Sequence, residues 1–201
     1  MNKTALRQAW ERLHRAKAAL DSIRTARSIH HIASAWSDFL SACSAVYNKL
    51  EKGAKGHPKS EPWFGRVKNA RRTDPLLCYV HHARNSDEHG IADVVKKTQG
   101  SFAIKGDVHI ERLETDSHGN VRIGKITGLN ASRPPELLVV PATVTLLPVF
   151  DDRFNDTFPV PDSHLGQRLE SGSLLEVAER AFQYMEGLLK EAGGLAEATE
   201  S

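Results

Sequence analysis

The hydrophobic period of this chain changes twice, and that change constrains the fold more than any other feature. Through residues 4–26 the apolar side chains Leu6, Trp10, Leu13, Leu20 and Ile23 recur at helical spacing. Through 28–52 the same spacing is kept by Ile29, Ile32, Trp36, Phe39, Cys43, Val46, Tyr47 and Leu50. Beyond Gly100 the period falls to two, with Phe102, Ile104, Val108 and Ile110 alternating with Lys105, Asp107, His109 and Glu111, the pattern of a strand with two unlike faces. Near residue 173 the helical period returns, with Leu174, Val177, Ala181, Tyr184, Met185 and Leu188 on one face. The predicted fold is mainly α: a bundle of four main helices with a small antiparallel β-subdomain inserted before the last one, α+β overall.

Local signals set the boundaries. Gly53 is expected to close the second helix, residues 53–62 to form a loop, and 62–72 to form a short, weaker helix. In the next helix Asp74 reads as the N-cap, Pro75 as the first helical residue and Gly90 as the stop, with Leu76, Leu77, Tyr79, Val80 and Ala83 on the buried side. "DSHGN", 116–120, reads as the turn of a β-hairpin resumed by Val121 and Ile123. Residues 136–140 and 143–150 read as further strands, with Pro148 marking an edge or a bulge. Residues 151–172 read as a loop, Ser173 with Glu176 as a capping box, and 193–201 as a flexible tail. The organisation expected is a bundle from 1–92 plus 173–192 and a β-subdomain from 101–150. That subdomain could dock a partner or RNA, or brace the bundle. The brace is the expectation, because Phe102 and Phe150 are its only aromatics and it has no base-stacking signature.

The formal net charge of +2 conceals an asymmetry: residues 1–72 carry 15 Lys and Arg against 5 Asp and Glu, and the remainder 12 against 20. A basic front half can attract a polyanion such as RNA, or it can be the solvated face of two helices. The start is charged and amphipathic, unlike a secretory leader, and no stretch is apolar enough to span a membrane. Cys43 and Cys78 both lie in apolar helical patterns and read as buried free thiols. A cytoplasmic setting, with no membrane partner and no cofactor, is the expectation.

The densest chemistry lies in "HHARNSDEHG", 81–90. Arg84 and His89 are five residues apart, about 140° around a regular helix, so they are expected to point apart unless the helix loosens or a second chain completes the site. An arginine beside a titratable histidine suits RNA cleavage without metal. Histidine exchanges a proton with the 2′-OH or the 5′-oxygen near neutral pH, and the guanidinium holds the phosphate as its charge grows. Three other readings stand beside this one. The first is a metal site using His82 and His89, with His81, Asp87 and Glu88 near, although no histidine pair here has i, i+4 spacing. The second is purely structural, with Arg84 paired to Glu88 at i+4 and His89 on the helix end. The third, a serine or cysteine nucleophile, is discarded because "SGS" at 171–173 lacks a nucleophile elbow and the cysteines read as buried. His30 and His31 read as surface residues that could line an RNA groove.

"RNSDEHG" resembles the motif of the HEPN superfamily, in which an arginine, a polar residue and several variable positions precede a histidine. The resemblance extends to Asn85 in the polar position, Gly90 after the histidine, and the motif's place at the end of the third major helix. It covers about residues 1–92 plus 173–192, while the 101–150 segment departs from the family's minimal all-α pattern. The resemblance implies a metal-independent endoribonuclease, in a toxin–antitoxin or antiphage setting, with Arg84 and His89 catalytic and Asn85, Glu88, His81 and His82 in support. It implies RNA as partner, a homodimer joining two motifs in one cleft, and an antitoxin or other defence-system protein as a further partner. Some members of that superfamily are inactive binders, so a silent module that binds a protein or RNA is the second expectation.

Overall fold

The computed structural model describes residues 1–116, 121–129 and 135–197. Among these the chain forms α1 (Lys3–Thr25), α2 (Ile29–Ala54), α3 (Ser60–Thr73) and α4 (Pro75–His89). Ten short strands follow: β1 (Val95–Thr98), β2 (Ser101–Lys105), β3 (Val108–Thr115), β4 (Val121–Gly128), β5 (Glu136–Val140), β6 (Thr143–Leu146), β7 (Val149–Asp151), β8 (Asp156–Phe158), β9 (Ser163–His164) and β10 (Gln167–Arg168). The last element is α5 (Leu174–Glu197). The chain divides into two compact units, Met1–Lys97 with Val144–Ser201, and Thr98–Thr143. The α+β class is therefore as expected, with five helices among the described residues and the β segment before the last.

The helical unit is built on an antiparallel pair. The Asn2 backbone N–H donates to the Gly53 carbonyl at 2.9 Å, so α1 begins where α2 ends. Asn2 Oδ1 also caps α1, accepting from the Ala5 N–H at 2.9 Å. Gly53 does not close α2, which runs one residue further. Its role is a close approach: a Cβ there would stand 2.8 Å from Ala5 Cβ and 3.0 Å from Met1 Sδ. Trp36, Phe39 and Leu40 of α2, Leu76, Leu77 and Tyr79 of α4, and Met185 and Leu189 of α5 are essentially inaccessible. Each such side chain contributes about 1.5–3 kcal/mol through burial, and Trp36 stacks on Phe39 with centroids 5.8 Å apart. The expected helical seams are buried, with Leu6, Trp10, Ile32 and Tyr184 only partly covered at their edges.

α3 is a regular helix of 14 residues, longer than the sequence suggested, and the preceding loop is correspondingly shorter than 53–62. Trp63 of α3 donates its indole N–H to Glu191 of α5 at 2.8 Å, and Arg24 of α1 pairs with Glu179 of α5 at 2.8 Å. α5 continues through Gly193 and Gly194 to Glu197, so the tail expected from 193 is helical that far; residues 198–201 lie outside the described residues. At its start the Ser173 hydroxyl accepts from the Glu176 N–H at 3.2 Å. Glu176 turns back onto three backbone N–H groups, of Glu170, Ser171 and Gly172, one to three residues before the Ser173 N–H that a capping box uses. Those bonds, from Ser171 and Glu170 foremost, hold its carboxyl well down at about 2.

Residues 151–172 are not a plain loop. β7 pairs antiparallel with β8 through Val149↔Phe158, Phe150↔Thr157 and Asp151↔Asp156. β9 pairs with β10 across Leu165 and Gly166, both in the left-handed region (φ 49° and 78°), the backbone of a two-residue type I′ hairpin. A leucine in that region is disfavoured, and its N–H is held by Asp74 Oδ2 at 2.6 Å. Asp74 Oδ1 accepts from Leu77 N–H and from His164 Nδ1, both at 2.9 Å. The N-cap of α4 is therefore also the clasp of a hairpin 90 residues later. Burial opposes ionisation of Asp74, and the bonds from Leu165, His164 and Leu77 outweigh it, holding the carboxyl below its usual range.

Within Thr98–Thr143, β2 pairs with β5 and β3 with β4, both antiparallel, giving two-stranded sheets among the described residues. Most of the turn expected at 116–120 lies outside the described residues. Pairing slips between Ile110 and Leu113, and no described residue of this unit is buried. Leu113, Leu137, Leu138, Val139 and Val140 are all exposed, so the period-two pattern does not produce a covered face within this unit. Pro148 falls between β6 and β7, where it interrupts the single strand expected over 143–150.

Candidate functional site

The decade 81–90 belongs almost wholly to α4, which stays α-helical to its end. The Gly90 N–H still donates to the Ser86 carbonyl at 2.7 Å, and Gly90 is extended (φ −85°, ψ 172°) rather than left-handed. Its small size matters instead, because a Cβ there would fall 2.6 Å from the Ser86 oxygen. The loosening near His89 that was one of two ways to bring Arg84 and His89 together does not occur.

One side of α4 faces β7. Asp151, fully buried, accepts from His82 Nδ1 at 2.7 Å, from Asn85 Nδ2 at 2.9 Å and from the Arg153 N–H at 3.1 Å. Burial opposes its charge, yet the His82 and Asn85 bonds and the Arg153 backbone hold its carboxyl below the usual carboxylate range. The His82 ring stacks on Phe158 with centroids 3.4 Å apart and meets Phe154 edge-on at 4.8 Å. His82 and Asn85 are 7% and 5% exposed, so both act first as parts of this clip. Asn85 nevertheless keeps a link to the expected site, because its Oδ1 accepts from Arg84 Nη1 in a long bond of 3.4 Å.

The other side faces α2. Arg84 Nη2 pairs with Glu88 Oε2, the i, i+4 pair that the structural reading anticipated. His89 Nε2 stands 3.9 Å from the same oxygen. Glu88 Oε1 accepts from the Ser41 hydroxyl of α2 at 2.9 Å, and Ser37 donates to Asp87 one turn away. Despite the angle between their backbones, the Arg84 and His89 heads thus flank one carboxylate oxygen. The expectation that a regular helix keeps them apart is corrected, because side-chain length closes the gap. The site is open to solvent, with side-chain exposures of 23% for Arg84, 31% for Glu88 and 40% for His89.

His81 does not join that cluster. It lines a small enclosed crevice with Tyr47, Arg71 and Arg84. Burial first, then the charges of Arg71 and Arg84 and the neighbouring His82, push its pKa down to about 4. It is therefore neutral at pH 7 and cannot serve there as a cation. The Tyr47 hydroxyl and Arg84 Nε are buried without hydrogen-bond partners among the described residues. Arg71 lies over the Tyr47 ring at 4.9 Å.

A groove of about 520 Å³ runs between α1 and α2. Arg12 and Arg15 line it together with Asp38 and Ser41, so the serine that holds Glu88 also belongs to a cationic groove. His31 lines a second hollow nearby with Ser34 and Asp38. Among the described residues no group of three or more His, Cys, Asp or Glu is placed to hold a metal ion, and no helix is long and apolar enough to cross a membrane.

Sequence reasoning missed Asp151, Phe154 and Phe158, which organise His82, and Ser41, which organises Glu88. An aspartate ending the apolar run of 143–150 was the available signal for the first. A serine on the rim of a helical seam offered none. Compared with known proteins, the chain matches no family model, no curated protein and no solved structure.

Proposed function

We propose that this chain is a HEPN-type, metal-independent endoribonuclease in which Arg84 grips the scissile phosphate and His89 transfers the proton. The observation that supports this most is the convergence of Arg84 Nη2 and His89 Nε2 on one oxygen, in a partly open position. An anion seated there has a guanidinium fork on one side and an imidazole on the other. The 2′-oxygen attacks phosphorus, its proton leaves, and the 5′-oxygen departs as an alcohol, giving a 2′,3′-cyclic phosphate and a 5′-hydroxyl. His89 fills one of the two proton roles, and the second copy of a homodimer offers a His89 for the other. Arg12 and Arg15 in the α1–α2 groove supply attraction for neighbouring phosphates. Asn85, braced by Asp151, orients Arg84 from behind, while His81 and His82 shape the helix without touching RNA. A toxin or antiphage role, with an antitoxin-like partner, accompanies this reading.

The purified chain should cleave RNA in excess chelator and leave cyclic phosphate ends. Arg84→Ala and His89→Ala should each lose on the order of 100-fold in rate with little change in melting temperature. Absence of cleavage by the wild type, freed of any partner, refutes the proposal.

The second reading is a silent HEPN-like module that binds a partner protein. The specific observation in its favour is the exposed apolar set Leu113, Leu137, Leu138, Val139 and Val140. In that case no RNA is cut, and Leu138→Asp, which charges that surface, weakens complex formation.

A further inference from the structure

Glu88 meets three polar groups at once: Arg84 and His89 through Oε2, and Ser41 through Oε1. A carboxylate offers a guanidinium two oxygens in nearly the same geometry as two oxygens of a phosphate. We propose that Glu88 is an internal, displaceable anion, its carboxylate occupying the seat that a phosphodiester oxyanion takes when it binds. The inference rests on the reading of Arg84 and His89 as a phosphate site.

Three features of the site fit this role. The Arg84–Glu88 pair is partly exposed and spaced i, i+4, which places it among the weaker ion pairs and makes displacement inexpensive. Each group near Glu88 can be satisfied by the two non-bridging oxygens of a phosphodiester: Arg84 and Ser41 by donating to them, and His89 Nε2 by donating to one of the same two. The seat also adjoins the groove of Arg12 and Arg15 through Ser41, so a polyanion entering along that groove arrives at the edge of Glu88. A single free phosphate lacks this second set of contacts. Displacing Glu88 weakens both ligands by the same factor, and only an extended phosphodiester chain recovers the loss, through the groove contacts that a lone phosphate lacks.

The test compares wild type with Glu88→Gln, which keeps the shape and removes the charge, and with Glu88→Ala. The probes are inorganic phosphate and a 2′-deoxy oligonucleotide, which cannot undergo 2′-oxygen attack. Titration calorimetry should show both variants binding the oligonucleotide about five- to tenfold more tightly than wild type. For phosphate the fold-gain should be similar, because both probes displace the same carboxylate. Arg84→Ala added to Glu88→Ala should erase the gain, placing it at this seat. Glu11→Gln, which removes the same charge from the exposed Arg7–Glu11 pair on α1, should show none. Unchanged or weaker binding in both Glu88 variants overturns the proposal, as does an equal gain in Glu11→Gln. RNA cleavage measured on the same proteins separates the two readings. Cleavage by wild type without an affinity gain in the Glu88 variants overturns the displaceable anion alone. An affinity gain in proteins that never cleave overturns the ribonuclease reading alone.

Discussion

Asp151→Ala removes one carboxylate and orphans three donors, the His82 and Asn85 side chains and the Arg153 N–H. Each buried donor left without a partner costs about 1–3 kcal/mol. His82 and Asn85 are buried and the Arg153 bond is only part-buried, so the first two dominate and the total expected is about 3–5 kcal/mol. For a protein of this size each kcal/mol moves the melting temperature by about 2–4 °C, so the loss should be roughly 6–20 °C. Asp151→Asn keeps one acceptor oxygen and should cost less, about 1–3 kcal/mol. Urea unfolding followed by far-UV circular dichroism gives both numbers. Acid adds a second readout. The folded pKa of Asp151 lies below the usual 3.8, so its contribution is present above that value and is lost as pH falls through the folded pKa. The gap between wild type and Asp151→Asn should therefore narrow below about pH 4, while the depressed Asp74, common to both proteins, cancels. A cost below about 1 kcal/mol for Asp151→Ala, or a gap that persists unchanged into acid, would refute this account of the clip.

Two glycines inside helices should respond oppositely to alanine. Gly53→Ala, whose Cβ meets Ala5 and Met1, should destabilise by about 1–3 kcal/mol, whereas Gly187→Ala, with nothing within 4 Å, should stabilise by about 0.5–1 kcal/mol in thermal melts; like signs would sink the packing argument. The two thiols should also separate. Burial raises both from the ordinary cysteine range, but Cys43 is buried and Cys78 only partly so. A thiol-reactive chromophore should therefore label Cys78 first and Cys43 only on unfolding, and equal rates would contradict the packing of α2.

Features confined to one element were legible in the sequence. Asp74, Pro75 and Gly90 bound α4 as read, because caps and stops act on neighbours three or four residues away. The end of α5 was misread, since Gly193 and Gly194 are tolerated where Ala192 and Ala196 still bury against the core. Contacts between distant segments were not legible. Asp151 lies 69 residues from His82, and no periodicity relates a strand-end aspartate to a histidine on a helix. Apart from Ala83 the decade 81–90 reads as polar or small, yet His82 and Asn85 are buried where Asp151 of β7 and Phe158 of β8 meet them. Arg84 and His89 were read by backbone angle, which ignores the reach of a guanidinium and the carboxylate between them. The alternation from Phe102 to Glu111 was read as one strand, but it is two, β2 and β3, broken at Gly106 (φ 123°) and paired with different partners, and burial of an apolar face requires a covering layer that the pattern alone cannot specify.

The pairing of β1 with β6 has a consequence for how the chain tolerates its own insertion. Those strands sit at the points where the chain leaves the first unit and re-enters it, so their pairing closes the intervening segment at its base. The entropy of closing a loop grows only with the logarithm of its length, about 0.6 kcal/mol per doubling. Once that pairing forms, the helical unit is nearly indifferent to what the loop contains. The segment between those strands can lengthen, shorten or change its surface under selection while Asp151, Asp74 and the motif on α4 stay in register. The fold thus separates a part free to vary from a part that is not.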